Sequence, residues 1–209
     1  MPRVVSVNAG RARQVAVRRG RPLMSAIWKA PAEGPVRVTD GGLEGDEQAD
    51  RRVHGGPDKA VYAYAAEDTA WWSDRLGRPL EPGAFGENLT IEGIDVSGAR
   101  IGERWRIGSV ELEVSQPRLP CAKLGMRFAD PSMVRRFGEA ARPGAYLRVA
   151  TPGQLRAGDG VEVLARPDHD VSVALVSRAI LLDEALLERA AAAPALPPEL
   201  ATWMRERAA

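Results

Sequence analysis

The chain has 209 residues, enough for one large domain or for a domain with an appendage, and 44% of them are hydrophobic, as in an ordinary globular core. Its 29 Lys and Arg residues balance 28 Asp and Glu residues, which argues against a dedicated binder of nucleic-acid polymers, because such proteins carry a strong basic excess. There is no apolar run long enough to span a membrane and no apolar leader after Met1, and a single cysteine suits a reducing compartment, so the sequence reads as that of a cytoplasmic protein.

Glycine (21) and proline (16) are spread along the chain and punctuate short apolar runs, the pattern of many strands and turns. Val4 to Val7 is the first expected strand. Gln14 to Val17, Leu23 to Trp28 and Val36 to Thr39 follow, and the polar, glycine-rich stretch Asp40 to Pro57 reads as a long loop. Ala60 to Tyr64 suits a strand, and Ala65 to Leu76 a helix stopped by Gly77. Asn88 to Ile91 is a short strand. Arg104 to Ile107 and Val110 to Ser115 flank Gly108-Ser109 as a hairpin. Arg127 to Ala141 carries a helix that Pro131 can begin, and Gly144 to Ala150 and Val161 to Leu164 are strands. Beyond Arg166-Pro167-Asp168 the texture changes to Ala, Leu, Glu and Arg, all good helix formers. Three short helices are expected there, near Ser172 to Leu181, Asp183 to Ala192 and Pro197 to Arg207. The organisation is therefore mainly β with inserted helices over residues 1–167, and a small three-helix appendage over 168–209.

Cys121 lies in the run Gln116-Pro117-Arg118-Leu119-Pro120-Cys121-Ala122-Lys123-Leu124, between two cations and behind two prolines. If Pro120 opens a helix, the thiol sits in its first turn, where the helix dipole and the cations favour a thiolate. The alternative is a small buried core residue, the usual place of a cysteine outside a disulfide.

Two other loops carry candidate groups. In Val53-His54-Gly55-Gly56-Pro57-Asp58-Lys59, His54 offers a group that titrates near neutrality, Lys59 a cation, and Gly55 and Gly56 a backbone that an anion can approach. Alone, such a stretch is as readily a tight turn. In Gly83-Ala84-Phe85-Gly86-Glu87-Asn88-Leu89, Asn88 has both a donor and an acceptor, and the alternative is a turn-stabilising asparagine. Arg118 and Lys123 can each meet a phosphate, the first by a planar fork and the second as a point charge. One Cys and two His, with no CxxC or HxxxH spacing, do not supply an ordinary zinc site, and no GxSxG, Walker or GxGxxG motif is present. A nucleophilic pair of Cys121 with His54 stays open.

In combination the three loops are more specific. Gly45 to Val61, Gly83 to Thr90 and Ser115 to Leu124 resemble, in that order, the MOSC-domain family, named for the C-terminal domain of molybdenum cofactor sulfurase. Within it they resemble the YiiM-like branch, associated with resistance to 6-N-hydroxylaminopurine, whose helical tail is similar to residues 168–209. The resemblance implies a MOSC-type β-barrel and a molybdopterin-type molybdenum cofactor, with Cys121 as the protein's ligand to the metal. It implies reduction of N-hydroxylated compounds, among them hydroxylaminopurines, amidoximes and hydroxamic acids, a detoxifying activity. By position, Asn88 matches the family's asparagine at the cofactor pocket. Motif position and charge put Gly55, Gly56, Lys59, Gly86, Arg118 and Lys123 around the cofactor, and His54 at the site mouth as a proton donor.

A soft thiolate suits a redox-active transition metal, and a pterin phosphate needs cations and backbone donors. With no recognisable flavin or haem motif in the chain, a flavin or iron–sulfur electron-donor protein is implied as a partner. Two other readings remain at this point: a non-catalytic carrier of molybdopterin or sulfur that uses Cys121, and a metal-free Cys–His hydrolase or transferase.

Overall fold

The structure is a computed structural model and describes residues 1–18, 20–49 and 55–209. In chain order its elements are β1 (Arg3–Ala9), β2 (Arg13–Arg18), β3 (Arg21–Ser25), β4 (Ala30–Pro31), β5 (Val36–Thr39), β6 (Gly42–Leu43) and β7 (Val61–Ala65), then α1 (Ala66–Leu76), β8 (Leu89–Glu92), β9 (Arg104–Ile107) and β10 (Val110–Pro117). They continue with α2 (Ala122–Phe128), α3 (Met133–Ala140), β11 (Ala145–Thr151), β12 (Gly153–Leu155), β13 (Val161–Ala165), α4 (Val173–Leu181), α5 (Leu187–Ala191) and α6 (Pro198–Ala208). A short 3-10 turn spans Pro57–Lys59 and another Glu184–Leu186.

The fold is mixed and sheet-dominated. One sheet of eight strands runs β13-β9-β10-β11-β7-β8-β1-β4, with β12-β5-β6 as a small second sheet and β2-β3 as a separate hairpin. Most neighbours are antiparallel. The exception is β7 beside β8, a parallel pair, so the chain must cross over between them, and α1 makes that crossing. Five buried residues in a row, Val61–Ala65, mark β7 as the sheet's fully covered centre, whereas Val36–Thr39 alternates buried and exposed as a one-faced strand does. The large sheet has β13 at one edge and β4 at the other, and strand pairing closes no barrel among the described residues. An isolated bridge between Arg3 and Gly160 does link β1 to the entry of β13, helped by Val161 N–H donating to the Pro2 carbonyl at 3.0 Å.

Buried side chains form two clusters. The larger joins Val4, Ile91, Trp105 and Leu147 of the sheet to Val173, Val176, Leu187 and Met204 of the tail, so the C-terminal helices cover the same core that the strands build. Trp105 is fully buried, which contributes about 2–3 kcal/mol on transfer grounds, and its indole N–H donates to Glu103 at 2.9 Å. The smaller cluster is aromatic. Tyr62, Tyr64, Trp72, Phe85, Phe128 and Phe137 pack together beneath α1, α2 and α3.

Several boundaries differ from expectation. The strand expected over Leu23 to Trp28 stops at Ser25, and Ala26, Ile27 and Lys29 beyond it line a cleft. The helix expected within Arg127 to Ala141, which Pro131 can begin, is α3, shorter than that span, and Arg127 itself belongs to the preceding α2. Ala129 caps α2 in a left-handed conformation with φ 53° and Pro131 follows, a backbone reversal that a single helix cannot contain. The expected second tail helix is a 3-10 turn running into α5, and Asp183 caps that turn by accepting from Ala185 N–H at 3.2 Å. The small strands β6 and β12 fall where loops were expected. Gly77 ends α1 as expected, at φ 63°.

Candidate functional site

Register brings the site together at one end of the large sheet. Tyr146 of β11 pairs with Tyr62 of β7 on one side and with Gln116 of β10 on the other. Ala63 pairs with Leu89, which sets Asn88 beside Tyr62. The chain leaving β10 carries Arg118, Cys121 and Lys123 over this end. The segment after β3, residues 26–29, faces it from the opposite side. Between them lies an open cleft.

Arg118 forms part of its wall and is only 5% exposed. Its guanidinium rests on aromatic rings, 5.0 Å from the Phe137 centroid and 6.0 Å from that of Tyr62. Nη1 is buried without a hydrogen-bond partner, and no carboxylate pairs with this arginine among the described residues. Native interiors rarely leave such a charged donor unmet, so the geometry calls for an anion in the cleft. Lys123 also lines the cleft.

Cys121 lines the same cleft and is partly exposed. It is the N-cap residue of α2, in extended conformation, and so lies one position before the helix rather than in its first turn as expected. Tyr146 stands close by, its hydroxyl pushed up by burial and by the neighbouring thiol, against the pull of Arg118.

Asn88 is 4% exposed, and its amide is fully engaged with protein. Nδ2 donates to Asp46 at 2.9 Å and to the Asn8 carbonyl at 3.2 Å, while Oδ1 accepts from Tyr62 N–H at 3.1 Å. It therefore forms cleft wall and holds Asp46. Asp46 in turn accepts from Gly10 N–H at 2.8 Å and forms a buried ion pair with Lys29. Burial lowers the Lys29 pKa although Asp46 opposes the shift. Neither Lys29 nor Asp46 was singled out from the sequence, nor were the cleft tyrosines. No local signal marks them, since the pair is assembled across 17 residues of chain.

Gly86 lines the cleft at φ 80°, where a Cβ would come within 2.7 Å of Ile27 Cγ1. Next to it, Glu87 is fully buried and accepts from Gly83 N–H at 2.6 Å, Phe85 N–H at 3.0 Å and Thr90 Oγ1 at 3.0 Å. Glu87 thus folds the Gly83–Asn88 loop around its own carboxylate, and burial holds its pKa above the usual carboxylate range. Lys59 lines the cleft too, with its pKa lowered by burial against the charges of Asp58 and Glu199. Gly55 and Gly56 precede it and are not among the lining residues. His54 lies outside the described residues.

Of the expected site residues, the structure brings together Lys59, Gly86, Asn88, Arg118, Cys121 and Lys123. Among the described residues no three His, Cys, Asp or Glu side chains cluster as metal ligands. No described helix is long and apolar enough to cross a membrane.

Comparison with known proteins places this architecture. The family model described as MOSC domain matches residues 50–162. The chain is 37% identical over 157 residues to Protein YiiM of Escherichia coli (strain K12), covering 74% of this chain and 69% of that one. It is also 37% identical over 183 residues to a protein named Reductase from Gibberella moniliformis (strain M3125 / FGSC 7600), covering 85% of this chain but 32% of that longer protein. The crystal structure of YiiM from Geobacillus stearothermophilus superposes with a TM-score of 0.83 at 28% identity, over 100% of both chains. The family match, the sequence identity and the superposition agree, and the chain belongs to the MOSC domain family, in its YiiM-like branch.

Proposed function

We propose that this protein is an oxidoreductase that removes the hydroxyl oxygen from N-hydroxylated compounds, the class that includes hydroxylaminopurines, amidoximes and hydroxamic acids, with a molybdopterin-type cofactor. The observation that carries the reading is the orphaned, buried Nη1 of Arg118 in the cleft that Cys121 also lines. An anionic group is wanted there, and a thiol stands on the same wall. The fungal relative named Reductase supports the reaction class.

The residues fit such a group. Arg118 and Lys123 would take the pterin phosphate, the first through planar, charge-assisted hydrogen bonds. The Cys121 thiolate is the soft ligand that a redox-active transition metal prefers. Gly86, having no side chain, keeps the wall thin beside Ile27. Lys59 adds positive charge at the rim, carried there by the loop that contains Gly55 and Gly56. When bound, the molybdenum cofactor supplies the two-electron exchange at the substrate oxygen. The protein's part is to bind, orient and tune. Converting N–OH to N–H releases water and consumes two protons with the two electrons, and His54 is assigned proton delivery because imidazole titrates near the working pH. The Asn88–Asp46–Lys29 chain keeps the opposite wall in place. Electrons come from an external flavin or iron–sulfur protein.

The same reading divides the chain into a MOSC body, residues 1–167, and a three-helix appendage, residues 168–209, and assigns it to the cytoplasm. It takes the body as a barrel that closes at the Arg3–Gly160 bridge, which is what supports that view.

The test is metal analysis and reduction of an amidoxime with an artificial electron donor, on protein from a host that makes the cofactor. Stoichiometric molybdenum and turnover are expected, and both should be lost in Cys121→Ser. Full activity in that variant rejects the thiol as the metal's ligand. Tight cofactor binding with no turnover from any donor favours a carrier, and activity in cofactor-free protein favours a hydrolase or transferase.

A further inference from the structure

The β2–β3 hairpin pairs with neither sheet, and the proposed chemistry does not use it. Its sequence carries Arg11, Arg13, Arg18, Arg19 and Arg21, and no Asp or Glu occurs between Gly10 and Ala32, although the chain as a whole is close to neutral. Register sets Arg18 directly opposite Arg21, a like-charge pairing that weakens a hairpin. Arg11, Arg13 and Arg21 are exposed, and none of them forms an ion pair among the described residues. Two apolar side chains are exposed among them, Val17 at 63% and Met24 at 37%. The base of the hairpin is built into the cleft wall. Gly10 N–H donates to Asp46 at 2.8 Å and Ala12 N–H to Glu47 at 2.7 Å, and both carboxylates line the cleft, as does Ser25 at the end of β3. Arg13 rests 4.4 Å from the ring centroid of Trp28, which lies between the cleft residues Ile27 and Lys29. From Arg11 to Met24 no described side chain is buried, whereas Ser25 is 2% exposed. The hairpin is thus a basic arm rooted at the cleft rim. A lone two-stranded hairpin is marginal in water, and its like charges repel, so a surface bearing carboxylates would stabilise it.

We propose that this hairpin is the docking arm for a small acidic electron-transfer protein, one whose flavin or iron–sulfur group is ringed by carboxylates. Arg11, Arg13 and Arg21 pair with those carboxylates, and Val17 and Met24 meet apolar surface between them, the charge-steered, part-apolar contact of a transient interface. Because the arm is rooted in the cleft wall, a partner held on it stands at the mouth of the cleft. Each N–OH reduced takes two electrons from that partner and two protons from solvent, and yields N–H and water. A nucleic acid fits less well: it would meet the arginines but not Val17 and Met24, and the chain lacks the overall basic excess of such binders. The choice of an electron carrier as partner rests on the reductase reading, whereas the arm itself is defined by its charge, its register and its place at the cleft.

The test is calorimetric titration of the cofactor-loaded protein with an acidic flavodoxin, with an acidic plant-type ferredoxin and, as the opposite charge, with basic cytochrome c. At least one acidic carrier should bind, about tenfold more weakly at about 300 mM salt than at about 50 mM, and cytochrome c should not bind. Arg13→Glu/Arg21→Glu should weaken that binding by about tenfold or more and raise the KM for the carrier in carrier-driven reduction of an amidoxime. Turnover with a small artificial donor should stay at the parent level, which shows that the variant is folded and its cleft intact. The milder Arg21→Gln, at an exposed position, should give a smaller loss of the same sign. Val17→Ser should weaken binding without changing its salt dependence. Carrier binding undiminished in the two arginine variants, or no salt-dependent binding of either carrier, overturns the proposal, as does tighter binding of a single-stranded oligonucleotide than of either carrier. Arginine-dependent carrier binding without amidoxime turnover from any donor would instead count against the reductase reading and leave the docking arm standing.

Discussion

The amide of Asn88 donates to the Asp46 carboxylate at 2.9 Å, and the two residues are 42 positions apart in the chain. Through this bond the start of β8 holds the loop after β6, and Asp46 then holds Lys29. With its other contacts to Asn8 and Tyr62, Asn88 joins β1, β7 and the cleft wall at a single point. Asn88→Ala should therefore cost about 3 kcal/mol, because two buried hydrogen bonds and one part-buried bond go and the Tyr62 N–H and Asn8 carbonyl lose a partner. Asn88→Asp should be no better, since it sets a second carboxylate beside Asp46. Urea unfolding of both variants checks this. A loss of cofactor binding with unchanged stability would instead make the amide a direct ligand.

That residue shows what was legible in the sequence. Its place in a motif marked it as a candidate, and it lines the cleft, but the bonds it makes reach segments 26, 42 and 80 positions away and leave no local trace. Elements governed by nearest neighbours were readable. Val36–Thr39 follows from alternation, the hairpin at Gly108-Ser109 from turn chemistry, and the end of α1 from Gly77. Elements set by tertiary packing were not. Ala129 and Ala141 end α2 and α3 in left-handed conformations that alanine does not announce, and β12 exists because β5 lies beside it. The motif loops disclosed Arg118 and Cys121. Lys29 and Tyr146 join them only through folding.

Gly86→Ala should destabilise the protein by about 1–3 kcal/mol, combining the cost of a left-handed alanine with the displacement of Ile27. The new Cβ meets Ile27 Cγ1 at 2.7 Å, and both residues line the cleft, so ligand affinity should fall with stability. Adding Ile27→Ala should restore part of the affinity by relieving the contact, but not the backbone cost. Thermal unfolding and ligand titration of the single and double variants separate the two contributions. A Gly86→Ala protein as stable as the parent would refute the steric argument.

Glu87 gives a pH dependence with a defined sign. Burial raises its folded-state pKa above the ordinary 4.5, although the hydrogen bonds it accepts oppose the shift. The folded state then holds the proton more tightly than the unfolded chain does. The stability tied to that proton is fully present below pH 4.5 and is lost as pH rises through the raised folded value. Relative to Glu87→Gln, the parent should accordingly be most stable at the acid end and lose that advantage on going toward neutrality. The amide keeps one acceptor oxygen but cannot accept at both positions, so the variant starts from a lower stability overall. Urea midpoints for the pair between pH 4 and 8 give the difference directly, and the other carboxylates cancel in it. An advantage that grows with pH would contradict the assignment.

Arg148 ties the C-terminal helices to the cleft loop. From β11 it pairs with Asp58, the neighbour of Lys59, and with Glu113 at 2.7 Å, and it donates to the Ala195 carbonyl at 2.9 Å just before α6. Its side chain is 23% exposed, so these contacts are worth more than surface ion pairs but less than buried ones. Arg148→Ala should lower stability by about 1–2 kcal/mol. It should also loosen both ends of the tie, the Pro57–Lys59 turn and the chain between α5 and α6. Two readouts follow: faster limited proteolysis between residues 192 and 198, and weaker anion binding at the cleft, because Lys59 and Glu199 of α6 sense one another there. A double-mutant cycle with Asp58→Ala measures the coupling, expected near 1 kcal/mol. Zero coupling, with proteolysis unchanged, would mean that the helices cover the core without bracing the site.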